Sequence, residues 1–111
     1  MVIEWLKFEI APDLIDQYIE VDEEVWTTTL RQYPGFLGKQ VWLDPNHLNI
    51  AILIIYWSDR EAWKSVPADV LEATEKEFVR RLGSKDCRLI ETKEFNIRNI
   101  WSDELPLPFK Q

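Results

Sequence analysis

A few side chains of this 111-residue chain have the types and spacing that a chemical site needs. Tyr18, Asp22, Trp26 and Thr29 recur at the spacing that places them on one face of a helix. Asp22 interrupts an apolar stripe, where a carboxylate is costly unless it is paired or protonated. Asp22 is therefore a candidate general base or substrate anchor. The alternative is that it lies at the edge of the stripe, in water.

Aromatic residues offer a second component of such a site. Trp26, Tyr56 and Trp63 could form a cage around a planar ligand, since six Trp exceed what one small core needs. The alternative is that these rings are ordinary core residues. Glu4, on the first predicted strand, is either a second acid in the same pocket or a residue near a sheet end, in water.

The sequence predicts neither a metal site nor a bound cofactor. His47 is the only histidine and Cys87 the only cysteine, so no Cys/His cluster with zinc spacing exists. His47 falls in a turn, and Cys87 is expected to be a core thiol. With only three glycines, the chain lacks a glycine-rich phosphate loop.

Composition narrows the class of partner and the cellular location. The net charge of −7 argues against binding nucleic acid or an anionic membrane surface. The longest apolar run, residues 50–57, is too short to span a bilayer, and we expect no signal peptide. A single cysteine fits a reducing compartment, so we expect a cytoplasmic protein.

The elements that must position these residues have the order β-α-β-β-α-β, which predicts an α+β, ferredoxin-like fold with a four-stranded antiparallel sheet. The segment from Ser58 to Glu61 is typical of a capping box, with Ser58 as the N-cap. The predicted buried stripe of the last helix consists of Leu71, Thr74, Phe78 and Leu82. The predicted strands cover residues 2–10, 36–43, 49–57 and 87–97, with helices at 13–32, after 58 and after 67. The domain is expected to span residues 1–97, with an extended, proline-containing tail over 98–111.

The third strand predicts a homodimer. It is apolar on both faces, although the helices of this fold cover only one face of the sheet. Packing two sheets across a two-fold axis would bury the other face. The alternative is a monomer whose tail covers the sheet.

Three segments carry a family resemblance: Val25-Trp26, Tyr33-Pro34-Gly35-Phe36, and the run from Tyr56 to Lys64. Together with the element order, they resemble the dimeric α+β barrel superfamily of antibiotic-biosynthesis-type monooxygenases, and more closely a small family of uncharacterised proteins within it. The resemblance implies the fold, a dimer, and a site between the helices and the sheet. Haem-degrading relatives use a histidine in the second helical region, and residues 58–83 contain none.

These observations support two functional hypotheses. The first is a protein that binds a small hydrophobic or aromatic molecule between helices and sheet, through Tyr18, Trp26, Tyr56 and Trp63, without catalysis. The second is a cofactor-independent, monooxygenase-like enzyme acting on a small aromatic substrate, with Asp22 accepting a proton.

Overall fold

The computed structural model describes residues 1–101 and 103, and within them the element order is the predicted one. The first helix is built from two α-helical stretches joined by a π-helical segment. The strands are β1 (Val2–Ile10), β2 (Phe36–Leu43), β3 (Ile50–Trp57) and β4 (Cys87–Asn96). After a 3₁₀ turn (Pro12–Leu14), the helices are α1 (Ile15–Asp22), the π segment (Glu23–Thr27), α2 (Thr28–Leu30), α3 (Arg60–Lys64) and α4 (Ala68–Leu82).

The four strands form one antiparallel sheet in the order β2-β3-β1-β4, which confirms the predicted ferredoxin-like α+β fold. Glu4 pairs with Ile55 of β3 on one side and with Glu94 of β4 on the other. Lys39 of β2 pairs with Ile55 from the opposite side. Lys39, Ile55, Glu4 and Glu94 therefore form one row across the sheet, on the face that the helices cover.

The core between the helices and the sheet consists of two apolar clusters. Leu6 and Trp26 pack against both clusters and so lie between them. The first cluster contains Ile10, Leu14, Ile15, Tyr18, Val21, Val25, Ala51, Leu53, Phe78 and Leu82. The second contains Val2, Leu30, Ile55, Trp57 and Val66.

The other side of the sheet, which we call the open face, carries large apolar side chains in the described chain. Ile54 and Tyr56 of β3 point there and are buried by their neighbours. Trp42 and Phe95 on the same side are about half exposed. The prediction that β3 is apolar on both faces is therefore confirmed.

The π segment changes which residues of the first helix share a face. A strict α-helical period places Thr29 with Asp22, but the π turn contains more residues per turn and rotates the residues after it. Thr29 consequently faces α4, where its hydroxyl accepts a hydrogen bond from Thr74 Oγ1 at 3.3 Å. Asp22 instead faces β2.

Two local predictions about the later helices were wrong. The N-cap of α3 is Asp59, whose carboxylate accepts a hydrogen bond from the Ala62 amide at 2.7 Å, and not Ser58. Leu71 is exposed, whereas Val70 packs against the second cluster. The buried stripe of α4 therefore has the four-residue spacing of Val70, Thr74 and Phe78, from which Leu71 is displaced by one position.

Most of the predicted tail lies outside the described residues. Within the described part, Trp101 is 93% exposed. None of the described helices is both long enough and apolar enough to cross a membrane.

Candidate functional site

A buried ion pair lies beneath the first helix. The Lys39 ammonium group contacts the Asp22 carboxylate, and only 7% and 5% of the two side chains are exposed. Lys39 Nζ also donates a hydrogen bond to Thr27 Oγ1 at 3.2 Å. Burial raises the pKa of Asp22, while the charge and hydrogen bond of Lys39 act in the opposite direction. The alternative of a solvated Asp22 at the edge of the helix is therefore wrong.

The π segment explains how Asp22 and Thr27 reach the same lysine. Residues five apart on an α-helix point about 140° away from each other. A π turn closes i to i+5 hydrogen bonds and brings such residues onto one side. Asp22 immediately precedes this segment and Thr27 ends it, so their side chains converge on Lys39.

Glu4 is the second acid on the helix-covered face. Its carboxylate accepts a hydrogen bond from the buried Trp57 indole, Nε1 to Oε1, at 3.3 Å. Burial raises the pKa of Glu4, and the Trp57 hydrogen bond and the charges of Lys64 and Lys39 partly offset this effect. Glu4 is partly buried within the domain, so the alternative of a free position in water does not hold.

Two of the predicted aromatic residues border the cluster that holds the hydrogen-bond donor of Glu4, and a third has a structural role. Trp26 and Trp63 are partly buried and pack against the cluster that contains Trp57. Tyr18 lies in the first cluster, with its ring 5.5 Å from that of Phe8 and 5.1 Å from that of Phe78. Tyr18 thus fills the core where the sequence predicted a ligand contact.

The predicted placement of Tyr56 in this site requires correction. Successive side chains of a strand point to opposite faces, and the buried Trp57 occupies the helix-covered face. Tyr56 therefore lies on the open face, where its hydroxyl donates to Gln40 Oε1 at 2.8 Å. The sheet separates Tyr56 from Asp22 and Trp26, so the predicted cage of Trp26, Tyr56 and Trp63 does not assemble.

Sequence reasoning missed Lys39 and Lys64. An inward-pointing lysine on an alternating strand is the signal that would have identified Lys39, but a register shift between Phe36 and Gly38 obscures the alternation. Lys64 lies on α3 with its ammonium group 4.0 Å from the centre of the Trp63 ring. Nothing in the local sequence around Lys64 indicates its electrostatic link to Glu4, which lies on a distant strand.

Other features of the described chain lie away from Glu4. The described residues contain no group of three or more His, Cys, Asp or Glu side chains that could hold a metal ion. Two surface clefts of 430 and 480 Å³ lie near Cys87 and near Gly35, and neither is lined by Asp22 or Glu4. Burial raises the pKa of the Cys87 thiol, which makes it a poor nucleophile.

Comparison with known proteins shows the family of this chain. The family model described as antibiotic biosynthesis monooxygenase matches residues 1–67, which is more than half of the chain. The chain belongs to the antibiotic biosynthesis monooxygenase family. A comparison with curated protein sequences gives no match.

Solved structures share the fold at low sequence identity. SnoaB from Streptomyces nogalater, a cofactor-independent oxygenase, has a TM-score of 0.66 and 16% identity, covering 92% of this chain and 97% of its own. The ActVA-Orf6 monooxygenase of Streptomyces coelicolor, solved with nanaomycin D, has a TM-score of 0.66 and 12% identity, covering 93% and 92%. A conserved protein from Methanosarcina mazei Go1 has a TM-score of 0.57 and 16% identity, covering 85% and 87%. At these identities the likeness concerns the fold.

Proposed function

We propose that this protein binds a small aromatic molecule against the surface formed by Glu4, Trp26 and Trp63. The observation that carries the proposal is a carboxyl group held by an indole inside an aromatic region, since Trp57 donates to Glu4 within the domain. The lining of a ligand site is typically apolar, with a few oriented polar groups. Trp26 and Trp63 supply the apolar surface, and Glu4 supplies the polar group that orients a ligand.

The burial of the ion pair supports the choice of Glu4 over Asp22 as the group that faces a ligand. Asp22 is engaged by Lys39 and almost fully buried. Glu4 is less buried, and it is held by the indole of Trp57 and not by a direct ion pair with a lysine. A catalytic or anchoring role for Asp22 stays a prediction, which Asp22→Asn would test by loss of binding in a protein that remains folded.

Binding can be measured with naphthamide, a neutral bicyclic aromatic, by ligand-observed NMR. We expect Trp63→Leu to weaken binding by about tenfold, since stacking against one aromatic side chain contributes on the order of 1–3 kcal/mol. Trp101→Leu is the matched control, because Trp101 is 93% exposed and should leave binding unchanged. An equal effect of both substitutions, or no binding to the wild-type protein, would contradict the proposal.

A second candidate function is cofactor-independent oxygenation of such a ligand. Two observations favour it: membership of the monooxygenase family and a partly buried carboxyl group whose pKa is raised by burial. Without a cofactor, the electrons that reduce O₂ must come from the substrate. An activated methylene would lose a proton to Glu4, and the overall reaction R₂CH₂ + O₂ → R₂C=O + H₂O balances without another reductant.

Glu4→Gln separates oxygenation from binding. The amide keeps an oxygen that can accept the Trp57 hydrogen bond but cannot take up a proton. We expect it to reduce turnover of any oxygenated substrate by about 10²–10⁴-fold while binding persists. Oxygen consumption measured with an electrode would show this, and unchanged turnover in Glu4→Gln would exclude Glu4 as the base.

We further propose that the open face of the sheet forms a homodimer. Trp42 and Phe95 are about half exposed there, and the adjoining Ile54 and Tyr56 are buried. The Gln40 side chain accepts hydrogen bonds from Tyr56 at 2.8 Å and from Trp42 Nε1 at 3.1 Å. An apolar patch whose Tyr56 and Trp42 donors are already paired is suited to packing against a second copy.

The dimer proposal predicts different effects for two equally exposed residues. Trp42→Glu places a charge on the open face and should yield a folded monomer by sedimentation velocity. Val79→Glu places the same charge on α4, where Val79 is 49% exposed compared with 48% for Trp42, and should leave the dimer intact. A monomeric wild-type protein, or equal effects of both substitutions, would overturn the proposal.

A further inference from the structure

We propose that Lys64 is the specificity-determining residue of this site, and that it selects aromatic ligands carrying a carboxylate next to the ring. The inference rests on the proposed binding of an aromatic molecule at Glu4, Trp26 and Trp63. It adds the charge of the ligand and names the side chain that recognises it.

The first observation is the position of the Lys64 ammonium group. It lies 4.0 Å from the centre of the Trp63 ring, a distance at which the ring quadrupole attracts a cation. This contact places a positive charge over one face of the Trp63 ring. A flat ligand that packs beside this ring would bring a substituent of its own ring within reach of that charge.

The second observation is that Lys64 and Lys39 are engaged differently. Lys39 is buried and bound by Asp22 and Thr27. Lys64 has an exposed side chain, and among the described residues no carboxylate lies within ion-pair distance of it. Both lysines act electrostatically on Glu4, so Lys64 is the cation near Glu4 that remains available to a ligand.

The net charge of the whole chain bears on how an anionic ligand would be held. A protein with a net charge of −7 repels anions at long range. An anionic ligand would therefore depend on a nearby positive charge to be retained. Lys64 supplies that charge, and the Glu4 carboxyl group, when it carries a proton, can donate a hydrogen bond to a ligand carboxylate.

The test compares naphthoate with naphthamide, which have nearly the same shape and differ in charge. We expect the wild-type protein to bind naphthoate about three- to tenfold more tightly than naphthamide, and the preference to weaken as salt is added. Lys64→Met should abolish the preference, measured as the ratio of the two affinities within the same variant. Lys76→Met is the matched control, because Lys76 is an exposed lysine on α4 paired with Glu72 at 3.2 Å.

The outcomes distinguish this inference from the proposed function. Equal binding of both probes to the wild-type protein, or a preference that survives in Lys64→Met, would overturn the role of Lys64 while aromatic binding stands. A preference lost equally in Lys76→Met would show a general charge effect and would also overturn it. Failure of both probes to bind would overturn the proposed function itself.

Discussion

Lys39→Met is expected to destabilise the domain by about 3–5 kcal/mol at neutral pH, because removing one partner of a buried pair leaves the other charge uncompensated. The carboxylate left without a partner is that of Asp22, whose side chain is 5% exposed. Urea denaturation measures the free energy of unfolding and would give this value. The dependence of that free energy on urea concentration should be the same in the variant and the wild type. A loss below about 1 kcal/mol, typical of surface pairs, would contradict the buried pair.

The loss of stability caused by Lys39→Met should decrease as pH falls. Without the lysine, burial raises the folded-state pKa of Asp22 further above its ordinary value of 3.8. An acid whose pKa is raised on folding favours the folded state below its unfolded pKa, and this contribution is lost as pH rises through the folded pKa. The difference from wild type should therefore shrink as pH falls towards 3.8.

A double substitution is the control for the ion pair. In Asp22→Leu with Lys39→Met, both charges are replaced by apolar groups of similar size, which is often neutral for stability. Most of the loss caused by Lys39→Met alone should be recovered. A double variant that is less stable than Lys39→Met would show that packing, and not the uncompensated charge, causes the loss.

Gly35→Ala is expected to destabilise the domain by about 2–5 kcal/mol, combining backbone strain with overpacking. Gly35 has φ of +92°, which is unfavourable for a residue with a side chain. A Cβ atom there would collide with Ala62 Cβ and lie 2.7 Å from Ser58 Oγ. The Gly35 carbonyl also accepts a hydrogen bond from the Ser58 amide at 2.8 Å, so the turn cannot move away from α3 without losing this bond.

Gly83→Ala is the matched control for Gly35→Ala. Gly83 also has positive φ, +68°, at the C-terminus of α4, but nothing lies within 4 Å of a Cβ built there. Only the backbone strain of about 1–2 kcal/mol should apply. Thermal unfolding of both variants would separate strain from overpacking, and equal losses would show that the contact with α3 contributes nothing.

The elements and their order could be predicted from the sequence, because each element leaves a local pattern. Alternation or, for β3, a continuous apolar run indicates the strands, and the Tyr33-Pro34-Gly35 turn ends the first helix. The predicted buried stripe of α4 is displaced by one position at Leu71, since neighbouring apolar residues both fit an approximate helical period. Local patterns thus determine the architecture but not every contact.

The candidate site could be predicted only in part, because it depends on contacts between distant residues. Asp22 is conspicuous by its place in an apolar stripe, yet its partner is 17 positions away on another element. Glu4 and Trp57 are 53 positions apart. The face on which Tyr56 lies could not be predicted, because β3 is apolar at every position and its sequence does not reveal which side the helices cover.

The π segment also affects how this chain is compared with its relatives. A π turn is one residue longer than the α-helical turn it replaces. The first helix therefore carries the equivalent of a single-residue insertion within residues 23–27. A relative whose helix is α-helical throughout must be aligned with a one-residue gap in this segment. An ungapped alignment would match Asp22 correctly but would shift Thr29 by one position. The residues after the π segment would then be compared with non-equivalent residues, and their contacts with α4 would wrongly be taken to differ between the two proteins.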